Sequence, residues 1–418
     1  MSLYTRAPGY KPKPDERFRV APEAEIVDLL LLVSGVFDVE AKGRAAAEAN
    51  VKSAIERWID GGLGYRTAAD GGRLFDPAEV VNLMKWRGVA GEDAYWRDHF
   101  VQTHRDFVDE FKGQAQTPCR FDFTFRRTFD LSGFEEGANL RLRMPVPLTE
   151  PYLRDLRSDF VVPDAWREAA TVRDNYVELR LKKGAEQSLT LGGEYAFTAG
   201  FHAPDALTER ERETYLKKSE GFIRVTPRIE ALAAELDAGD PRATLAAFWD
   251  YMMNALYSGM VRYAHIPPEA PGDFVLEHGW YDCQLGAALF ASLCRARGVP
   301  ARLINGHLLY RTQPISHYWA EAWIDGAGWL PFDVICWDLS MAGESLAWRD
   351  LFAGAIDYRL ATQCFPTAFT GPMTVRFPPA WQMLQKRAGA GVEITYQDVD
   401  TGAILYRDYA EARDRSAD

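Results

Sequence analysis

Three side chains in the second half of the chain have the types, order and spacing of a nucleophile, its base and the group that orients that base: Cys283, His317 and Asp333. A thiol beside an imidazole can pass its proton to the ring and attack a carbonyl, while a carboxylate on the far ring nitrogen fixes the tautomer. Cys283 follows Gly279-Trp280-Tyr281-Asp282 and precedes a run in which Leu285, Ala288, Leu289, Ser292 and Leu293 recur at a helical period. Asp282 is an N-cap type, Gly298 suits a left-handed C-cap, Arg295 and Arg297 lie in the last turn and Pro300 follows outside. These signals predict an amphipathic helix of about four turns with Cys283 in its first turn. The unsatisfied N–H groups and positive dipole end there favour an anionic sulfur and can bind a developing oxyanion.

The elements that must bring the base to the sulfur follow directly. Ala301 to Tyr310 is β-rich, and His317 opens a second strand, Tyr318-Trp319-Ala320-Glu321-Ala322-Trp323-Ile324. Asp325-Gly326-Ala327-Gly328 is a turn and Trp329 to Val334 returns. A loop of odd length centred near Asp325 would set His317 and Asp333 opposite each other on one face, whereas a one-residue slip would put them on opposite faces. Pro331 cannot donate to a ladder, so the returning strand should be an edge or carry a bulge. Trp280, Tyr281, Tyr318 and Trp319 flank the three residues and are expected to wall a substrate cleft.

Taken singly, a helical Cys, a strand-end His and an Asp after a strand are ordinary structural residues; their conjunction carries the reading. Cys294 lies on nearly the same helix face as Cys283 but about 16 Å along the axis, which makes it a core residue. Cys336 is expected as a packed residue continuing the returning strand, and Cys119 and Cys364 have no motif around them. His99 and His104 do not share a helix face at the i, i+4 spacing a metal wants. No metal and no cofactor are expected.

The segment from about Leu245 to Asp338 resembles the transglutaminase-like superfamily, with its papain-like cysteine enzyme core. Three blocks carry the likeness: Gly279 to Cys283 leading into the helix; Gly298-Val299-Pro300-Ala301-Arg302 with Gly306; and His317-Tyr318-Trp319-Ala320-Glu321 through Gly328-Trp329 to Asp333. Asn254-Ala255-Leu256-Tyr257 resembles the helix end that precedes the cysteine in this group. The resemblance implies an α+β fold with an antiparallel sheet, Cys283 as nucleophile, His317 as general base and Asp333 as its orienter. A β-rich domain ahead of the core, with a segment like Leu140 to Pro147, resembles the bacterial type with an N-terminal extension.

Composition frames the rest. At 418 residues, 47% hydrophobic and 26% charged, the chain is long enough for two or three domains. Five cysteines without a CxxC pair argue against a disulfide framework and point to a reducing, cytoplasmic home. A net charge of −12 disfavours nucleic acid as partner. The basic, proline-rich start is not a signal peptide, and the longest apolar run, near Leu29 to Val33, is far short of the roughly 20 residues a bilayer span needs.

The expected organisation is a flexible arm at 1–22, a helical region at 23–117, a β-sandwich-like domain at 118–202, a linker at 203–220, the catalytic core at 221–345, and a helix and strands at 346–418 packing on that core. Within the first half, Ala46 to Ile59, Pro77 to Trp86 and Trp96 to Lys112 read as helices, and Phe121 to Phe129, Leu140 to Val146, Tyr176 to Leu181 and Ser188 to Ala199 as strands. The function expected is cysteine-dependent acyl transfer on a peptide, protein or acyl-thioester substrate, with hydrolysis of a peptide or amide bond as the leading reading. Passing the acyl group to an amine is the alternative reaction, and an inactive scaffold that binds partners is the alternative class.

Overall fold

The computed structural model describes residues 21–31, 43–61, 63–76, 80, 105–112, 118–148, 153–173, 176–200, 206–258, 266–310, 314, 316–341, 346–355, 358–365, 381–398 and 403–415. Nearly all of the expected arm and of the helix at Pro77 to Trp86, together with His99 and His104, lie outside these residues. Two N-terminal helices, α1 (Glu23–Leu31) and α2 (Arg44–Asp60), pack through Ile26, Leu30, Val51, Ile55 and Trp58 onto a small three-stranded sheet that the sequence reading missed.

The β-rich domain is a two-sheet sandwich. Strand β1 (Cys119–Asp130) alternates strictly, turning Phe121, Phe123, Phe125 and Phe129 inward. Strands β2 (Asn139–Pro145), β3 (Leu153–Val161), β4 (Tyr176–Lys182) and β5 (Ser188–Ala199) follow, with β2 and β4 in one sheet and β1, β3 and β5 in the other. Leu140, Leu142 and Met144 on β2 and Val177, Leu179 and Leu181 on β4 cover the phenylalanines of β1, so the two apolar faces share one core.

The described part of the expected linker, residues 206–220, carries regular structure. Thr208 and Glu211 form a reciprocal capping box that starts α3 (Glu209–Tyr215), and Ser219 and Glu220 pair with Ile223 and Arg224. Arg212 reaches Asp325 at 3.0 Å and Glu220 reaches the buried Arg295 at 3.2 Å, which ties this segment to the next domain.

Helices α4 (Pro227–Glu235), α5 (Pro241–Ala255) and α6 (Pro271–His278) surround α7 (Cys283–Ala296), whose residues from Gln284 to Arg295 are all buried. Against α7 lies a four-stranded antiparallel sheet of β6 (Ala301–Leu308), β7 (Ser316–Ile324), β8 (Gly328–Phe332) and β9 (Arg359–Phe365), in the order β8-β7-β6-β9. Strand β8 is an edge, as Pro331 requires. Between β8 and β9 sits a short helix, α8 (Ile335–Met341), where the sequence reading extended a strand. Because β9 pairs with β6, the catalytic sheet runs beyond the expected limit at residue 345.

The C-terminal strands correct the sequence reading. Strands β10 (Trp381–Ala388), β11 (Gly391–Asp398) and β12 (Ile404–Asp414) do not pack as a tail on the core. They complete the larger sheet of the sandwich in the order β10-β11-β12-β1-β5-β3, with β12 beside β1 over the full span from Tyr406↔Phe129 to Asp414↔Phe121. Leu309, Tyr358 and Leu360 join the apolar core of the sandwich, so the catalytic sheet and the sandwich pack as one body.

Candidate active site

Asp282 caps α7 by accepting the Leu285 N–H at 2.9 Å, and Gly298 ends the helix region at φ 74°. Cys283 is therefore the first residue of the helix, and it is half-buried while the helix behind it is fully buried. No side chain at Gly286 could be accommodated without movement: a Cβ there would lie 2.7 Å from the Tyr281 ring and 3.1 Å from Val334. That close approach seats the first turn of α7 against the residue following Asp333.

His317 is the second residue of β7 and is 6% exposed. The hairpin register is Trp323↔Trp329 and Ala320↔Phe332, centred one residue later than the sequence reading placed it. Asp333 thus falls just past the end of the ladder, diagonal to His317 instead of directly opposite. A shift of two in the pairing sum keeps both on one face, and diagonal neighbours on a face are within side-chain reach. The contact forms: His317 Nε2 donates to Asp333 Oδ1 at 2.7 Å. This leaves Nδ1 for the sulfur, and Cys283 is a hydrogen-bonding partner of the ring.

Asp333 is completely buried and has three donors: His317, the Ile335 N–H at 2.9 Å to the same oxygen, and Arg359 Nη1 at 2.6 Å to Oδ2. Burial works against its ionised form, but His317 and Arg359 beside it prevail and hold it down to about 2. Burial likewise disfavours an imidazolium at His317, yet Asp333 and Cys283 outweigh it and the ring is held up at about 10. Asn305 fixes the backbone at His317, its Nδ2 donating to the His317 carbonyl at 3.1 Å.

Other expected residues have different fates. Trp319 is fully buried, donates from Nε1 to Glu321 at 3.0 Å and packs with Ile304 and Ala361, and Tyr281 is fully buried in the helical core. Neither walls a cleft, because each faces the interior of a layer. Tyr318 is half-buried on the opposite face from Trp319; burial, with Tyr396 and Cys283 next in effect, pushes its phenol up. The Trp280 side chain lies outside the described residues. Cys336 is on α8, where its sulfur accepts the Phe352 N–H at 3.2 Å, and burial pushes both it and Cys294 up.

Two residues near the site escaped the sequence reading. Arg359 comes from β9, and Tyr396 comes from β11, hydrogen-bonds Ser316 and lies within electrostatic reach of Cys283. No local motif announces either one, since β9 and β11 reach the site only through long-range pairing.

Gly306 shows how tightly β9 is held. It pairs with His317 on one side, and on the other a Cβ would lie 2.1 Å from the Leu360 carbonyl oxygen and 2.9 Å from the Ala361 Cα. Gly306→Ala should therefore cost about 1–3 kcal/mol of stability by forcing β6 and β9 apart. Denaturant unfolding checks this, and a change below roughly 0.5 kcal/mol would contradict it.

Residues 230–334 match the family model of the transglutaminase-like superfamily. This segment is similar to a transglutaminase-like core. Among solved structures, a protein from Cytophaga hutchinsonii provisionally named a cysteine protease is similar at 12% identity and TM-score 0.46, covering 72% of this chain and 92% of its own. The periplasmic domain of TgpA from Pseudomonas aeruginosa is similar at 18% identity and TM-score 0.32, covering 57% of this chain and 96% of its own. A search of curated protein sequences found no match. The transglutaminase-like core fits cysteine-based catalysis in general. Among the described residues no helix is long and apolar enough to cross a membrane, and no cluster of His, Cys, Asp or Glu could hold a metal ion.

Proposed function

We propose that this chain is a cysteine-dependent acyl-transfer enzyme that hydrolyses a peptide or amide bond. The observation that carries the reading is the buried His317, bonded to Asp333 at 2.7 Å through Nε2 and facing Cys283, the first residue of α7, with its other side. In this reading His317 holds the proton of Cys283 before the attack, so that the sulfur attacks the carbonyl as a thiolate, and the imidazolium gives that proton to the leaving amine. The resulting thioester is attacked by water, with His317 again as base and Asp333 holding the ring throughout. Backbone N–H groups of the first turn of α7 are placed to stabilise the tetrahedral oxyanion. The substrate class is a peptide, protein or acyl thioester. The five cysteines form no disulfide with one another, which supports a reducing, cytoplasmic setting.

Iodoacetamide labelling followed by mass spectrometry tests the first step. Cys283 should react first, ahead of the fully buried Cys294 and Cys336, and His317→Ala should slow it at least about tenfold. Labelling of Cys283 no faster than that of Cys119 or Cys364, and indifferent to His317→Ala, would sink the enzyme reading in favour of a binding scaffold. Amide-substrate turnover with and without an added primary amine then separates hydrolysis from transfer.

A further inference from the structure

We infer that Arg359 is a positioning residue for the Cys283–His317 pair, acting through Asp333 from a strand outside the segment that matches the family. This inference rests on the acyl-transfer reading. Arg359 opens β9 and is only 4% exposed, with its guanidinium 5.0 Å from the Trp319 ring centre and 5.2 Å from that of Phe352. Those two rings leave it little freedom to turn away. Its Nη1 donates to Asp333 Oδ2 at 2.6 Å, while the other carboxylate oxygen takes His317 and the Ile335 N–H. One oxygen is thereby reserved for the guanidinium and the other for the imidazole, which fixes the rotation of the carboxylate and hence the plane of the ring.

The charge matters as much as the geometry. With Arg359 present, the ionised Asp333 is matched by a permanent cation. Removing that cation leaves the cluster of half-buried Cys283 with buried His317 and Asp333 one unit more negative, so every group in it binds protons more tightly. Other titratable groups face the cluster. Cys336, Tyr318 and Tyr396 are all pushed up by burial and stay neutral through the neutral range. Asp282 is engaged by the Leu285 N–H, and Asp350 by Trp249 Nε1 at 3.2 Å. The buried Arg127 acts on Tyr318 and Tyr396 but is paired with Asp408, so among the described residues Arg359 is the cation hydrogen-bonded to the cluster, through Asp333.

The test is the pH profile of Cys283 alkylation by iodoacetamide in the full chain, for wild type, Arg359→Met and Arg359→Lys. Arg359→Met should move both the acid and the alkaline limb to higher pH, by about one to three units. Arg359→Lys, which keeps the charge but not the fork, should keep both limbs near wild type while the maximal rate falls. Unmoved limbs in Arg359→Met, or the same profile in Met and Lys variants, would show a packing role only and overturn the inference. If Arg359→Met does not fold, a shift of both limbs in Arg359→Lys as large as one unit would overturn the charge argument, and unshifted limbs with a lowered rate would support it. Slow, His317-independent labelling in wild type would instead overturn the acyl-transfer reading, and the role of Arg359 with it.

Discussion

Asp333→Asn should lower Cys283-dependent acyl transfer by about 10⁴-fold while keeping the fold. The carboxylate serves donors on both oxygens, His317 and the Ile335 N–H on one and Arg359 on the other. An amide has a single oxygen. With that oxygen turned to Arg359, the NH₂ faces His317 and Nε2 must accept, which moves the ring proton to Nδ1, the nitrogen on the sulfur side. The base then cannot receive the thiol proton. The same substitution carries a pH signature in stability. His317 is raised from 6.5 to about 10 in the folded protein, so its contribution is full below about 6.5 and lost as pH rises through 10. Asp333 is lowered from 3.8 to about 2, so its contribution is present above 3.8 and lost as pH falls through 2. The stability gap between wild type and Asp333→Asn should therefore be widest between about 4 and 6.5 and shrink toward pH 10. Urea titrations across that range check it, and a gap that does not vary with pH would contradict the assignment of charges.

Asp408→Ala should cost about 3–5 kcal/mol, the largest stability effect expected in the sandwich. Asp408 on β12 is completely buried and bonds Arg127 of β1 twice, at 2.7 Å to Nε and 2.6 Å to Nη2. The guanidinium lies 4.4 Å from the Tyr406 ring centre, and Tyr406 stacks on Tyr396 at 4.2 Å. Deleting the carboxylate strands a buried cation in an aromatic pocket. Adding Arg127→Met to Asp408→Ala should restore most of the loss, because the uncompensated charge is then gone. A double-mutant cycle from denaturant unfolding measures this, and a single-mutant loss below about 1 kcal/mol would argue against it. Because Tyr396 contacts Ser316, the single variant should also slow Cys283 labelling although Asp408 does not touch the sulfur.

The elements around Cys283 were legible because their signals are local. Asp282 and Gly298 bracket one helix, Pro331 demands an edge strand, and the alternation of Phe121, Phe123 and Phe125 permits only one face inward. The hairpin register was legible to within one residue of its centre, since any loop of odd length, centred on 325 or on 326, places His317 and Asp333 on the same face.

The chain by itself therefore determined the local elements and the types of the three residues that meet. Only the tertiary structure decided that β12 lies beside β1, that β9 extends the four-stranded sheet, and that Arg359 arrives at the site from β9 and Tyr396 from β11. It also decided that Tyr281 and Trp319 are interior residues and not cleft walls. The physical reason is common to all of these. Strand pairing between residues distant in the chain is selected by burial of whole faces, and an aromatic side chain reads the same in sequence whether the layer above it is solvent or another sheet.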